Sequence, residues 1–122
     1  MAVLTEEQTL LKDQAQAWVR EEANVTHFRT MRDSGSNGGF DADTWRQMVE
    51  LGWTGILVPE EFGGSGMDYQ TFGVVLEELG RGLTASPLFA SCLVGASALL
   101  ISGSDAQRRE WLPKISSGQA IL

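Results

Sequence analysis

From Gly82 to Ser104 the chain carries no charged residue, although 20% of its 122 residues are charged. Such a stretch has two destinations, a lipid bilayer or a protein interior. Its length is enough to cross a bilayer. However, Ser86, Pro87, Ser91, Gly95, Ser97 and Ser102 dilute its hydrophobicity well below that of a typical span. The expectation is a buried helix of a soluble fold, opened by Ser86 as N-cap with Pro87 at the first helical position. The rest of the chain must then supply the elements that cover it.

Those elements read as helices joined by glycine-rich turns. Thr5 followed by Gln8 forms a capping-box pattern, with Glu6 and Glu7 in the favourable first turn. Leu11, Ala15, Trp18 and Val19 recur at helical spacing, and this first helix is expected to fade near Asn24. The stretch Asp33-Ser34-Gly35-Ser36-Asn37-Gly38-Gly39 has the composition of a flexible loop. Asp41 is a good N-cap for a second helix, with Phe40 placed to staple against Trp45. Trp45, Met48 and Val49 form its buried stripe, and Gly52 is placed to end it in the left-handed conformation.

Asp68 can cap a third helix whose Phe72, Val75, Leu76 and Leu79 face inward, with Glu77 and Arg81 paired outside and Gly80 or Gly82 as its stop. After the charge-free segment, Ser104 and Gln107 repeat the capping-box pattern. They open a last helix carrying Trp111, Leu112 and Ile115, which Pro113 is expected to kink or shorten. No strand pair and no internal repeat is visible. The fold class is an all-α bundle of about five helices.

Composition narrows the function. A chain of 122 residues buries enough surface for one hydrophobic core. Its net charge of −7 argues against a nucleic-acid partner, which needs a basic face. Adjacent Arg108 and Arg109, the densest basic spot, read as a solvated helix face. The lone Cys92 cannot form an intramolecular disulfide, and the first residues lack the basic and apolar regions of a signal peptide. The expected localisation is cytoplasmic, with no membrane span.

A search for an active site among these residues finds none, so no catalytic residue is assigned. His27 is the only imidazole, and Gly63-Gly64-Ser65-Gly66-Met67 lacks the final glycine of a nucleophile elbow. One Cys and one His cannot assemble a metal site without distant carboxylates, so no metal ligand is assigned. Cys92, among apolar neighbours, reads as a small core residue. The run Gly63-Gly64-Ser65-Gly66 fits neither dinucleotide nor phosphate-loop patterns and reads as a chain-reversing turn. The pairs Glu60-Glu61 and Glu77-Glu78 read as solvated faces, because adjacent helical residues do not converge on one substrate.

The block from Leu51 to Gly66, Leu-Gly-Trp-Thr-Gly-Ile-Leu-Val-Pro-Glu-Glu-Phe-Gly-Gly-Ser-Gly, resembles the acyl-CoA dehydrogenase family. The likeness continues at Glu77-Glu78-Leu79-Gly80-Arg81, at Gly103-Ser104-Asp105-Ala106-Gln107, and at Trp111-Leu112-Pro113 with Gly118 beyond. The resemblance implies that residues 1–118 are the family's N-terminal helical domain and that residues 119–122 begin a middle β-domain absent from this chain. It implies part of an FAD-dependent flavoenzyme that desaturates an acyl-CoA thioester between its α and β carbons. In that family the glutamate base and most FAD contacts come from the other two domains. The chain alone is therefore expected to be inactive, and no cofactor-binding residue is assigned to it.

The same resemblance implies that the apolar fourth helix walls an acyl pocket, through Ser86, Phe89, Ala90 and Leu93 as substrate-binding positions. A buried helix needs such residues in any case. The implied partners are an acyl-CoA, an electron-accepting flavoprotein, the missing middle and C-terminal domains, and further copies of the chain through exposed apolar surface. Two other readings stay open. One is a non-enzymatic helical module or partner subunit of a flavoprotein, and the other is an acyl-CoA oxidase-like or nitroalkane oxidase-like member of the same fold.

Overall fold

Local hydrogen bonds at helix starts set the frame. The computed structural model describes residues 3–35 and 38–122. Met1, Ala2, Ser36 and Asn37, the last two in the expected loop at 33–39, lie outside the described residues. Helix α1 spans Glu6–Glu22; the Thr5 hydroxyl accepts the Gln8 amide while the Gln8 side-chain oxygen accepts the Thr5 amide, both at 3.1 Å. Helix α3 spans Ala42–Glu50, with the Asp41 carboxylate accepting the Asp43 amide at 3.0 Å. Phe40 meets Trp45 edge-on at 6.2 Å, and Gly52 takes φ +82° just beyond the helix end.

Helix α4, Tyr69–Arg81, starts on Asp68, whose carboxylate accepts both the amide (2.9 Å) and the hydroxyl (2.7 Å) of Thr71. Those two bonds hold the Asp68 carboxyl below its ordinary range. The stability they lend is present at neutral pH and is lost as pH falls through that lowered range. Helix α6, Asp105–Ser116, begins with the expected Ser104–Gln107 box and runs three residues past Pro113 without being shortened by it.

A helix absent from the sequence reading lies between the first two expected ones. Helix α2, Val25–Ser34, takes Asn24 as its cap, the side-chain oxygen accepting the His27 amide at 2.9 Å. It has no fully buried residue, and its Val25, Phe28 and Met31, three apart, are only half-buried. His27 is not a free surface residue: its Nε2 lies 3.2 Å from the Asp41 carboxylate and ties α2 to the start of α3.

Packing then organises the bundle around α1 and α4, which run against each other. The Gln8 side-chain amide donates to the Thr71 hydroxyl at 3.2 Å and joins their N-terminal ends. Trp18, Met48, Trp53, Phe72, Val75, Leu79, Leu88, Cys92 and Ile115 form the core beneath. Trp18 stands edge-on to Trp53 at 5.2 Å and donates its indole N–H to the Gln47 side chain at 2.7 Å. Val58, Ala96 and Leu112 make a small second cluster. No strand is present among the described residues, and no helix among them is long and apolar enough to cross a membrane.

Three expectations need correction. The charge-free segment is not one buried α-helix. It opens as a π-helical segment, Leu88–Gly95, which continues as helix α5, Ala96–Ser102. Its outer side stays exposed, with Phe89 58% and Ile101 76% accessible, because nothing in the described fold covers it. Arg108 is not merely a solvated cation. Its guanidinium donates to the carbonyls of Leu99 and Leu100, both at 3.0 Å, and closes the C-terminal end of α5.

Glu78 is not on a solvated face. It is 2% exposed, on the same stripe as Val74, Val75 and Leu79, because α1 covers that side of α4. Arg81, one turn on, brings its Nε to 3.3 Å from the buried carboxylate. Arg81→Ala is expected to cost about 2 kcal/mol, since it strands a buried charge without its partner. Adding Glu78→Gln should recover about half of that loss in chemical denaturation.

Candidate functional site

The end of α4 and the start of the charge-free segment face each other across an open groove. Leu76, Leu79, Gly80 and Leu83 line it from the α4 side, and Ser86 and Phe89 from the other. Its volume is about 270 Å³, and no charged side chain lines it. The hydroxyl of Ser86 accepts the Leu88 amide at 3.3 Å, so its oxygen helps open the next helix as well as edging the groove.

Of the four positions singled out in the sequence, Ser86 and Phe89 meet at this groove. Ala90 is exposed outside its lining, and Leu93 is half-buried against the main core. The π-helical turn accounts for the separation. Its bonds close at i→i+5 rather than i→i+4, so a turn takes more than four residues and positions three and seven apart no longer share a face. Phe89 and Val94 are both exposed, while Leu88 is fully buried and Leu93 packs inward. Sequence reasoning missed the α4 wall. The repeat of Leu76, Leu79 and Leu83 at spacings of three and four was the available signal.

A second apolar groove, about 350 Å³, lies between Gly95, Ala98 and Leu99 on one side and Trp111 and Leu122 on the other. The Leu122 amide donates to the hydroxyl of buried Ser91 at 3.2 Å. A Cβ on Gly95 would stand 3.2 Å from that of Leu122, so the small residue lets the last residues lie close.

The glycine-rich turn offers a flavin nucleotide no cradle. Its amides are committed inside the protein: Ser65 donates to Gly55 at 2.8 Å, Gly66 to Val58 at 2.8 Å, and Met67 to Ile56 at 2.7 Å. The Ser116 hydroxyl donates to the Gly63 carbonyl at 3.0 Å, and the Thr54 hydroxyl to the Ser116 carbonyl at 2.6 Å. The turn between the 3₁₀ segments Trp53–Gly55 and Glu60–Phe62 and the start of α4 is thus a clamp onto the end of α6. A pyrophosphate needs free amides at such a loop, so these residues do not fit FAD here.

The remaining reactive groups are equally committed. Burial pushes the Cys92 thiol up to about 12, which leaves it protonated and unreactive at neutral pH. No group of three His, Cys, Asp or Glu side chains able to hold a metal occurs among the described residues.

Comparison with known proteins points one way. The acyl-CoA dehydrogenase N-terminal domain profile matches residues 5–119. The (2S)-methylsuccinyl-CoA dehydrogenase of Cereibacter sphaeroides is 34% identical over 97% of this chain, which spans 21% of that protein. The acyl-CoA dehydrogenase IpdE2 of Mycolicibacterium smegmatis is 33% identical, again over 97% of the chain and 36% of its own length. Among solved structures, the ChsE4-ChsE5 complex from Mycobacterium tuberculosis superposes with a TM-score of 0.86 at 28% identity, over 99% of this chain and 33% of the other. The chain spans between a fifth and about a third of the length of these relatives.

Proposed function

This chain belongs to the acyl-CoA dehydrogenase family through its N-terminal helical domain, and we propose that it walls the acyl pocket of an FAD-dependent enzyme that desaturates an acyl-CoA thioester. The observation that carries this reading is the uncharged groove between the end of α4 and the π-helical segment, edged by Ser86 and Phe89. An apolar groove whose two hydroxyls, those of Ser86 and Thr84, are both engaged with backbone groups suits a hydrocarbon tail rather than a polar headgroup. Ala90, exposed beside Phe89, extends the same wall when further elements close over it, while Leu93 backs it from the core side.

The chain's share of the reaction is to bind and orient the acyl tail and to exclude water from it. FAD and the proton-abstracting base belong to the family's remaining length, since the turn that most resembles a nucleotide loop has its amides bonded internally. Residues 1–118 are the helical domain and 119–122 lead into the next one. The exposed side chains of Phe89, Val94 and Ile101 are the surface onto which the remaining domains pack, and the isolated chain self-associates through it. An electron-accepting flavoprotein is the proposed redox partner of the assembled enzyme.

The test compares the 122-residue chain alone with the chain joined to the rest of the family's length. Each is mixed with FAD and a panel of acyl-CoAs, and flavin bleaching is followed in the visible. The assembled enzyme should bleach with at least one acyl-CoA, while the chain alone should neither bind FAD nor bleach. Bleaching by the chain alone would overturn the assignment of FAD and base to other domains. No bleaching by the assembled enzyme with any acyl-CoA would favour a non-enzymatic helical module.

A further inference from the structure

We infer that Leu83 determines which acyl groups the groove between α4 and the π-helical segment accepts, an inference that rests on the acyl-pocket reading above. The backbone around it supplies the first reason. Helix α4 ends in a pair of reverse bonds, Leu83 N–H to the Gly80 carbonyl at 3.2 Å and Thr84 N–H to the Leu79 carbonyl at 3.0 Å. That arrangement needs a left-handed residue between them, a place usually taken by glycine. Here Leu83 takes it, with φ +54°, the one non-glycine residue with positive φ among those described.

Glycine is present one position earlier instead, and packing explains why. A Cβ on Gly82 would lie 2.5 Å from Val19 Cγ1 and 2.6 Å from the Ala23 carbonyl oxygen. Close approach of α1 therefore demands glycine at 82 and passes the left-handed conformation to Leu83. Thr84 then pins the chain from the other side, its hydroxyl donating to the Ala23 carbonyl at 3.1 Å.

The second reason is where the side chain stands. Leu83 is 54% exposed and lines the groove opposite Ser86 and Phe89. A leucine that is both strained and half in solvent contributes less to the fold than glycine would at the same place. Its isobutyl group is held out over an uncharged groove by a backbone bonded on both flanks. What it offers is a fixed apolar contact to whatever fills that groove.

The test uses the assembled enzyme and the ratio of kcat/KM for a ring-bearing or branched acyl-CoA to that for a straight-chain one. Leu83→Ala widens the groove and should raise this ratio about tenfold, and Leu83→Phe should lower it about tenfold, the low end of what one methylene is worth in an apolar pocket. Leu83→Gly should shift the ratio as alanine does while raising the melting temperature, which separates the contact from the strain and keeps the test open if the phenylalanine variant folds poorly. Ratios within twofold of wild type for all three variants, in an enzyme that turns over acyl-CoA, would overturn the role of Leu83 and leave the pocket reading standing. Failure of the unaltered assembled enzyme to act on any acyl-CoA would remove the pocket reading and this inference together.

Discussion

Gly64→Ala is expected to remove about 4 kcal/mol of folding stability, a large part of what a domain of this size has. A Cβ at position 64 would overlap the Val58 carbonyl oxygen, and would lie 2.5 Å from Val58 Cβ and 2.6 Å from the Gly55 carbonyl oxygen. Two of those obstacles are backbone atoms. They cannot retreat, because Gly55 and Val58 accept the amides of Ser65 and Gly66 across the same turn. Gly73→Ala is the matched control. It sits on the exposed side of α4, with nothing within 4 Å of the new Cβ, and should stabilise by about 1 kcal/mol. Denaturant midpoints of the two variants should therefore move in opposite directions. A midpoint for Gly64→Ala close to wild type would mean that the clamp onto α6 is not a rigid part of the fold.

Trp53→Ala should cost nearly as much, about 4 kcal/mol, through the cavity left where a fully buried indole meets Trp18 edge-on. Trp53→Phe should cost far less, about 1 kcal/mol. The indole N–H of Trp53 is buried with no hydrogen-bond partner, so losing that donor offsets part of the lost volume. Urea denaturation of both variants checks the difference. Equal losses would show that the donor has a partner in solution. The combined emission of the remaining tryptophans, Trp18, Trp45 and Trp111, gives a second readout, which should shift to the red only in the alanine variant.

The caps were readable from the chain because each closes within three residues. Thr5 with Gln8, Asp68 with Thr71 and Ser104 with Gln107 bond as their spacing predicts. Features set by distant neighbours were not readable in the same way. Glu78 carries the same side chain as Glu77, and only the approach of α1 buries one and leaves the other in water. Val25, Phe28 and Met31 do recur three apart in Val25–Ser34, but polar residues flank each of them and Asn24, its cap, was read as the end of the first helix. The π-helical register was hidden because an uncharged segment has no polar face from which to count turns. Two of the four proposed acyl-contact positions therefore meet at the groove, and the left-handed conformation of Leu83, imposed by the packing of Gly82 on Val19 and Ala23, was invisible to local patterns.

The pairing of α1 with α4 also governs when the molecule can fold. Most helical bundles close between neighbours in the sequence and gain from short loops early. Here the bond from Gln8 to Thr71 spans more than half the chain, and Trp18 finds Trp53 only after α2 and α3 have been made. During synthesis at about 5–20 residues per second, α1 emerges several seconds before its partner. Its apolar stripe of Ala15, Trp18 and Val19 stays uncovered for that interval. The first helix made is thus the one that waits longest for its neighbour, and a nascent chain held at residue 60 would leave the α4-facing side of α1 exposed.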